Sequence, residues 1–189
     1  MYNMNIHNMN NINGFEISLL GFLHEKPMHG YDLHRKVTDL KGFGGVWRLK
    51  IGKLYAMLNK LHDAGFVSVE NTQSGNRPVR NEYFITKEGE SVFHKWLISP
   101  VLHGREFRHH FFLKFYFALL HSRENALNLL AAQKTECQTW LSKFHPNIDR
   151  SIDNSLFFSE FVTQYRLKQI KSDLEWLDWA EKTIIQEAK

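Results

Sequence analysis

Hydrophobic spacing divides the chain into a mixed first half and a helical second half. Between Trp47 and Gly65 the helical period is clearest: Ile51, Leu54, Leu58 and Leu61 recur at i, i+3, i+7 and i+10. The opposite face carries Gly52, Lys53, Ala56, Asn59 and Lys60, with no bulky hydrophobe. Gly65 ends the segment, where a left-handed residue costs least. This profile suits entry into a DNA major groove. It equally suits an ordinary amphipathic helix whose polar side meets only water. Upstream, Phe15, Leu19, Leu20, Phe22 and Leu23 predict a short helix over 15–25 that stops near Pro27. His29-Gly30-Tyr31 opens a second helix, with Tyr31, Leu33, Val37 and Leu40 expected inside. Gly42, Gly44 and Gly45 mark a turn around Phe43.

After Gly65 the period changes. Phe66-Val67-Ser68-Val69-Glu70 reads as a strand, and Tyr83-Phe84-Ile85 ends a second. The polar stretch Asn71–Pro78 between them predicts a β-hairpin with Arg77 and Arg80 at its tip. Thr86 is a suitable N-cap for a helix running through Val92, Phe93, Trp96 and Leu97 to just before Pro100. Helix, helix, helix, hairpin, helix is the order of a winged helix-turn-helix, with the third helix in the groove and the hairpin on the adjacent backbone.

The remainder is predicted all-helical. Residues 105–121 place Phe107, Phe111, Phe115, Ala118 and Leu119 on one face and Phe112, Tyr116 and Phe117 beside it, which implies near-complete burial. Residues 123–144 carry Leu127, Leu130, Lys134, Cys137 and Leu141 in approximate register. Residues 153–188 form the longest predicted helix. Its Leu167, Ile170, Leu174, Leu177 and Ile184 follow heptad a/d spacing interrupted at Glu181, with Trp176 and Trp179 alongside. That seam predicts pairing across a two-fold axis, the alternative being an intrachain helical bundle. The expected fold is therefore mainly α with a small β-hairpin, divided into a flexible arm (1–14), a winged helix domain (15–100) and an all-α dimerisation domain (101–189).

Charge sharpens this picture. The net charge is +4. Residues 1–100 hold 12 Lys/Arg against 9 Asp/Glu, and residues 101–189 hold 12 against 11. Lys41, Arg48, Lys50, Lys53 and Lys60 fall in one stretch without an acid, a candidate nucleic-acid footprint. A single cysteine excludes an intramolecular disulfide and suits a reducing cytoplasm. The first 14 residues include six Asn and no basic or apolar leader, so they read as an arm and not a signal peptide. No apolar run approaches the roughly 20 residues of a membrane span.

Eleven His raise the question of a metal, but there is no H-E-x-x-H, and one Cys cannot seed a C-x-x-C site. His103, His109 and His110 beside Arg105 and Arg108 read instead as a cationic patch. Gly42-Phe43-Gly44-Gly45 lacks the flanks of a phosphate loop, and no acid/base pair or nucleophile motif is evident. No metal, cofactor or enzymatic activity is expected.

Residues 17–100 resemble the PadR family of transcriptional regulators. The resemblance lies in L-L-G-F-L-H-E-K-P-M-H-G-Y-D-L (19–33), W-R-L-K-I-G-K-L-Y-A-M-L-N-K-L-H-D-A-G-F-V (47–67) and G-N-R-P-V-R-N-E-Y-F-I-T-K-E-G (75–89), in family order within a span of nearly half the chain. The helical remainder is similar in architecture to the longer, virulence-activator-like subgroup. The resemblance implies a cytoplasmic homodimer on a pseudo-palindromic operator, commonly repressing and sometimes activating. It implies that Lys50, Lys53 and Tyr55 address the groove and its rim, Tyr31 the backbone, and Arg77 and Arg80 the wing contacts. Lys41, Arg48, Asn59 and Lys60 complete the expected DNA-binding set. Lys53 stands where the family often has a small residue or Thr, and Tyr55 also fits a structural role at the edge of the stripe. Some relatives bind aromatic compounds near the dimer interface, which makes Trp96 a candidate for stacking an effector, with core packing as the alternative. A winged-helix adaptor that docks a protein is the competing function.

Overall fold

The computed structural model describes residues 12–39, 49–72, 80–143 and 154–187. Lys41, Arg48 and Arg77 lie outside the described residues, as do Leu40, the Gly42–Gly45 turn and residues 1–11 of the expected arm. By contacts the chain divides into two compact units. The first comprises the described residues up to Leu97 together with Arg108–Phe117. The second comprises Ile98–Phe107 and the described residues from Ala118 onward.

In the first unit, α1 (Gly14–Glu25) begins inside the stretch expected to be an arm. Asn13 caps it: Asn13 Oδ1 accepts from Phe15 N at 2.8 Å, and Asn13 N donates to Glu16 Oε2 at 2.9 Å. This reciprocal capping box uses two donors the first turn would otherwise leave bare. Two residues, Met28–His29, form β1 before α2 (Gly30–Asp39) and α3 (Ile51–Asp63). The hairpin strands are β2 (Val67–Thr72) and β3 (Arg80–Ile85), followed by α4 (Lys87–Ile98). The sheet is antiparallel in the order β1-β3-β2, with Met28 opposite Tyr83 and Val67 opposite Ile85. A two-residue strand carries no usable period, so β1 is not legible in the linear pattern. β3 ends at Ile85 as expected and begins at Arg80, so Arg80, expected at the hairpin tip, pairs with Thr72 within the ladder.

Leu19, Leu20, Phe22, Leu33, Val37, Leu54, Met57, Leu58, Leu61 and Phe93 fill the core of this unit. Two inward expectations are corrected. Tyr31 is 63% exposed and Ile51 is 41% exposed. The buried stripe of α3 is Leu54, Met57, Leu58 and Leu61, so the expected stripe keeps its phase but starts one turn later than Ile51 and takes in Met57. Phe117 stands edge-on to Phe22 and Phe93, at ring centroid distances of 4.9 and 5.5 Å. A Cβ on Gly21 would lie 2.6 Å from the Phe117 ring, so the helix approaches this aromatic cluster only through glycine.

The stretch 105–121 is not one α-helix. It runs as α5 (Gly104–Glu106), a π-helical turn (Phe107–Phe111) and α6 (Phe112–His121). The extra residue per turn rotates the aromatics, so Phe111 and Phe117 are buried while Leu119 and Leu120 are exposed, contrary to expected near-complete burial.

The second unit is dominated by α7 (Arg123–Lys143) and α8 (Asn154–Gln186), antiparallel neighbours. Lys134 Nζ reaches Asp178 Oδ1 and Glu181 Oε2, each at 2.6 Å, and Arg123 donates to the Ile185 carbonyl at 2.9 Å. Burial works against the Lys134 charge, but the two carboxylates prevail and hold its pKa above the usual lysine value. Gln133 is fully buried, accepting from Val101 N at 2.8 Å and donating to Val101 O at 3.2 Å. The inward face of α7 is Ala126, Leu129, Leu130, Gln133, Cys137 and Trp140, with Leu127, Lys134 and Leu141 only half-buried. Ile170 and Leu177 of the expected dimer seam are buried within this unit, and Leu167, Leu174 and Ile184 are half-buried. The a/d spacing is thus spent largely inside the chain, because α7 offers an apolar face of matching length. Exposed instead are Phe157, Phe158, Phe161 and Tyr165 on the first turns of α8.

Candidate nucleic-acid interface

The outward face of α3 begins at its N-cap. Lys50 makes no side-chain cap bond, there is no acid in the first turn, and Lys50, Ile51, Gly52, Lys53, Tyr55, Ala56 and Asn59 are exposed. Two ammonium groups and the helix N-terminus therefore share one acid-free end. A Cβ placed on Gly52 would meet no atom within 4 Å, so the backbone here is open to close approach.

Residues outside this face aim it. His34 Nε2 is 2.8 Å from Leu49 O, tying α2 to the start of α3. Tyr55 packs over Gly30, where a Cβ would stand 2.6 Å from its ring. That contact explains the glycine of His29-Gly30-Tyr31 and leaves Tyr55 only part-exposed. His29 Nδ1 lies 3.2 Å from Asn81 O, and β1 pairs with β3, so the same tripeptide joins the hairpin to α2. Sequence alone did not mark His34, His29 and Gly30 as positioning residues. The tripeptide itself was the available signal.

Of the expected contacts, Tyr31, Lys50, Lys53, Tyr55, Asn59 and Arg80 are exposed. Lys60 is half-buried: its Nζ lies 3.4 Å from Glu16 Oε1, a carboxylate only 1% exposed that also closes the α1 capping box. A buried carboxylate without that ammonium would be uncompensated, so Lys60 also serves to neutralise Glu16. Trp96 is half-buried, with Lys114 Nζ 5.1 Å from its ring centroid and donating to its carbonyl at 2.7 Å. Among the described residues no group of three or more His, Cys, Asp or Glu is arranged to hold a metal ion, and no helix is long and apolar enough to cross a membrane.

Three packed helices with the third laid open, a β-hairpin behind it and an all-helical sequel define a winged helix-turn-helix transcriptional regulator. The Transcriptional regulator PadR-like family profile matches residues 19–95, and the Virulence activator alpha C-term profile matches residues 107–184. Residues 19–95 thus form a domain of the PadR-like family of transcriptional regulators. It is 27% identical over 169 residues to the Negative transcriptional regulator PadR of Bacillus subtilis (strain 168), covering 87% of this chain and 92% of that protein. Among solved structures it is similar to Bacillus subtilis PadR in complex with operator DNA (26% identity, TM-score 0.46, 91% and 99% of the two chains). It is also similar to the same protein in complex with p-coumaric acid (25% identity, TM-score 0.41, the same coverage).

Proposed function

We propose that this protein is a cytoplasmic, non-enzymatic transcriptional repressor that binds a pseudo-palindromic operator as a homodimer, with α3 in the major groove. The acid-free exposed end of α3 carries the reading: Lys50 and Lys53 supply phosphate and base-edge contacts, while Tyr31, Tyr55, Asn59 and Arg80 flank them. Lys41 and Arg48 extend the same basic stretch in sequence, and Arg77 adds a cation in the hairpin segment. The two α3 helices of a dimer then enter successive grooves about 34 Å apart. The curated relative is a negative regulator, which supports repression over activation.

The partner protomer is proposed to seat on Phe157, Phe158, Phe161 and Tyr165. These side chains are 60–68% exposed. Together they offer roughly 500 Å² of apolar surface, against about 800 Å² per partner in a standard interface. An aromatic compound stacking on the half-buried Trp96 is the proposed effector class.

Duplex affinity is expected to fall linearly on a log–log salt plot, and Lys53→Ala to lower both the affinity and the slope, the latter by about 0.9 for each of the two protomers. Fluorescence anisotropy on a duplex from the region flanking the coding sequence measures both. Salt-insensitive or absent duplex binding would favour the protein-docking adaptor. Gly52→Ala separates fold from contact: it is expected to stabilise the chain by about 0.5–1 kcal/mol, because a helical alanine replaces an unpacked glycine. The added methyl stands on the groove-facing side and is expected to weaken duplex binding. Thermal melting and the same anisotropy assay read the two effects.

A further inference from the structure

Asp173 lies on α8 where that helix meets α7, and only 6% of it is exposed. Its Oδ1 accepts from Gln169 Nε2 at 2.9 Å, whereas its covered Oδ2 has no hydrogen-bond partner among the described residues. From α7 the polar groups at this level are already engaged or uncharged. Cys137 is buried and near enough that the Asp173 charge raises its thiol. Glu136 accepts from the Trp140 indole at 2.7 Å. Gln133 is taken by Val101 and reaches Cys137 Sγ at 3.9 Å, and Lys134 is held by Asp178 and Glu181. From the segment preceding α6, Phe107 lies against Trp176, one turn along α8. An ionised Asp173 would thus keep one buried oxygen with neither donor nor cation, a costly state. A protonated Asp173 carries only a neutral hydroxyl there.

We propose that the α7–α8 pair is a proton-gated clasp, closed while Asp173 is neutral and loosened by its ionisation, which uncovers Cys137. Burial pushes the Asp173 carboxyl above the usual aspartate range, against the opposing Gln169 bond. A raised carboxyl pKa means the folded unit binds the proton more tightly than the unfolded chain does. Its contribution is complete below the ordinary aspartate value and is lost as pH climbs through the raised one. Burial also pushes Cys137 up to about 11, so in the closed state the thiol stays protonated and unreactive.

The chain has one cysteine, so thiol labelling of the full-length protein reports on Cys137 alone. The labelling rate with a dithiodipyridine, a reagent active in acid, is measured from about pH 4 to about pH 8 and divided by the rate in urea at the same pH. For the wild type this ratio is expected to rise by up to about tenfold per pH unit across the window, then level. For Asp173→Asn it is expected to stay flat. Gln169→Leu, at an exposed position, removes the bond that favours the ionised form and carries the rise on to higher pH before it levels. That variant decides the matter should Asp173→Asn fail to fold. A flat wild-type ratio, an equal rise in Asp173→Asn, or an unmoved rise in Gln169→Leu overturns the proposal.

Discussion

A chain carrying Phe161→Glu and Tyr165→Glu is expected to sediment as a monomer and to lose about 10²-fold or more of its operator affinity. Both side chains are exposed on α8, so the substitutions remove no core contact. Surface changes of this kind alter folding stability by about 0.5 kcal/mol or less. Across a two-fold axis, however, each glutamate would meet an apolar aromatic surface and a like charge from the partner. The loss of affinity follows from linkage of the two half-sites. A dimer already bound through one α3 presents the second at high effective concentration, which multiplies affinity by about 10²–10⁴ without a new contact. Sedimentation equilibrium and anisotropy on a full and a half operator test the chain of reasoning. A double variant that remains dimeric would exclude this face as the interface. A monomer with unchanged operator affinity would exclude cooperative half-site binding.

Gly89→Ala is expected to destabilise the first unit by about 3 kcal/mol, at the upper end of the usual overpacking cost. Gly89 sits in the first turn of α4 with its N–H bonded to Thr86 Oγ1 at 3.0 Å. A Cβ there would lie 2.2 Å from the Phe66 carbonyl oxygen and 3.0 Å from Ile85 Cγ1. The close atom is backbone, and it is already the acceptor for Thr86 N at 3.0 Å, while Thr86 Oγ1 donates to the Gly65 carbonyl at 2.8 Å. The turn cannot withdraw without breaking the bonds that join α3, β2 and α4. In a domain of this size the change corresponds to a fall in Tm of roughly 10 °C or more, measurable by calorimetry. A shift within about 1 °C would mean that the turn relaxes freely and that Gly89 is not a packing requirement.

The contrast between the glycines at 89 and 52 shows where sequence reading ends. Both lie in first turns of helices, and nothing local distinguishes them. Only the chain that comes back from Phe66 makes one of them crowded, while the other remains open. The same holds for Lys60. On a helical wheel it belongs with Lys53, but its ammonium pairs with the buried Glu16, 44 positions earlier.

The first-unit helices, the hairpin, the Thr86 cap and the acid-free run leading into α3 were legible in the linear pattern, because each depends on residues within a turn or two of one another. The family resemblance lay in the same three segments. The exposure of Ile51, the β1 strand, the π-turn in 107–111 and the fate of the α8 heptad were settled by packing between distant segments. A stripe of leucines states that a face will be buried, but not against what. In α8 the available partner was α7 of the same chain, so the aliphatic positions were covered internally and the aromatics of its first turns stayed exposed. Local periodicity determined what the elements are and which end of α3 is basic. Tertiary contact decided which charges are paired and which apolar face is left uncovered, since burial depends on what arrives from elsewhere in the fold.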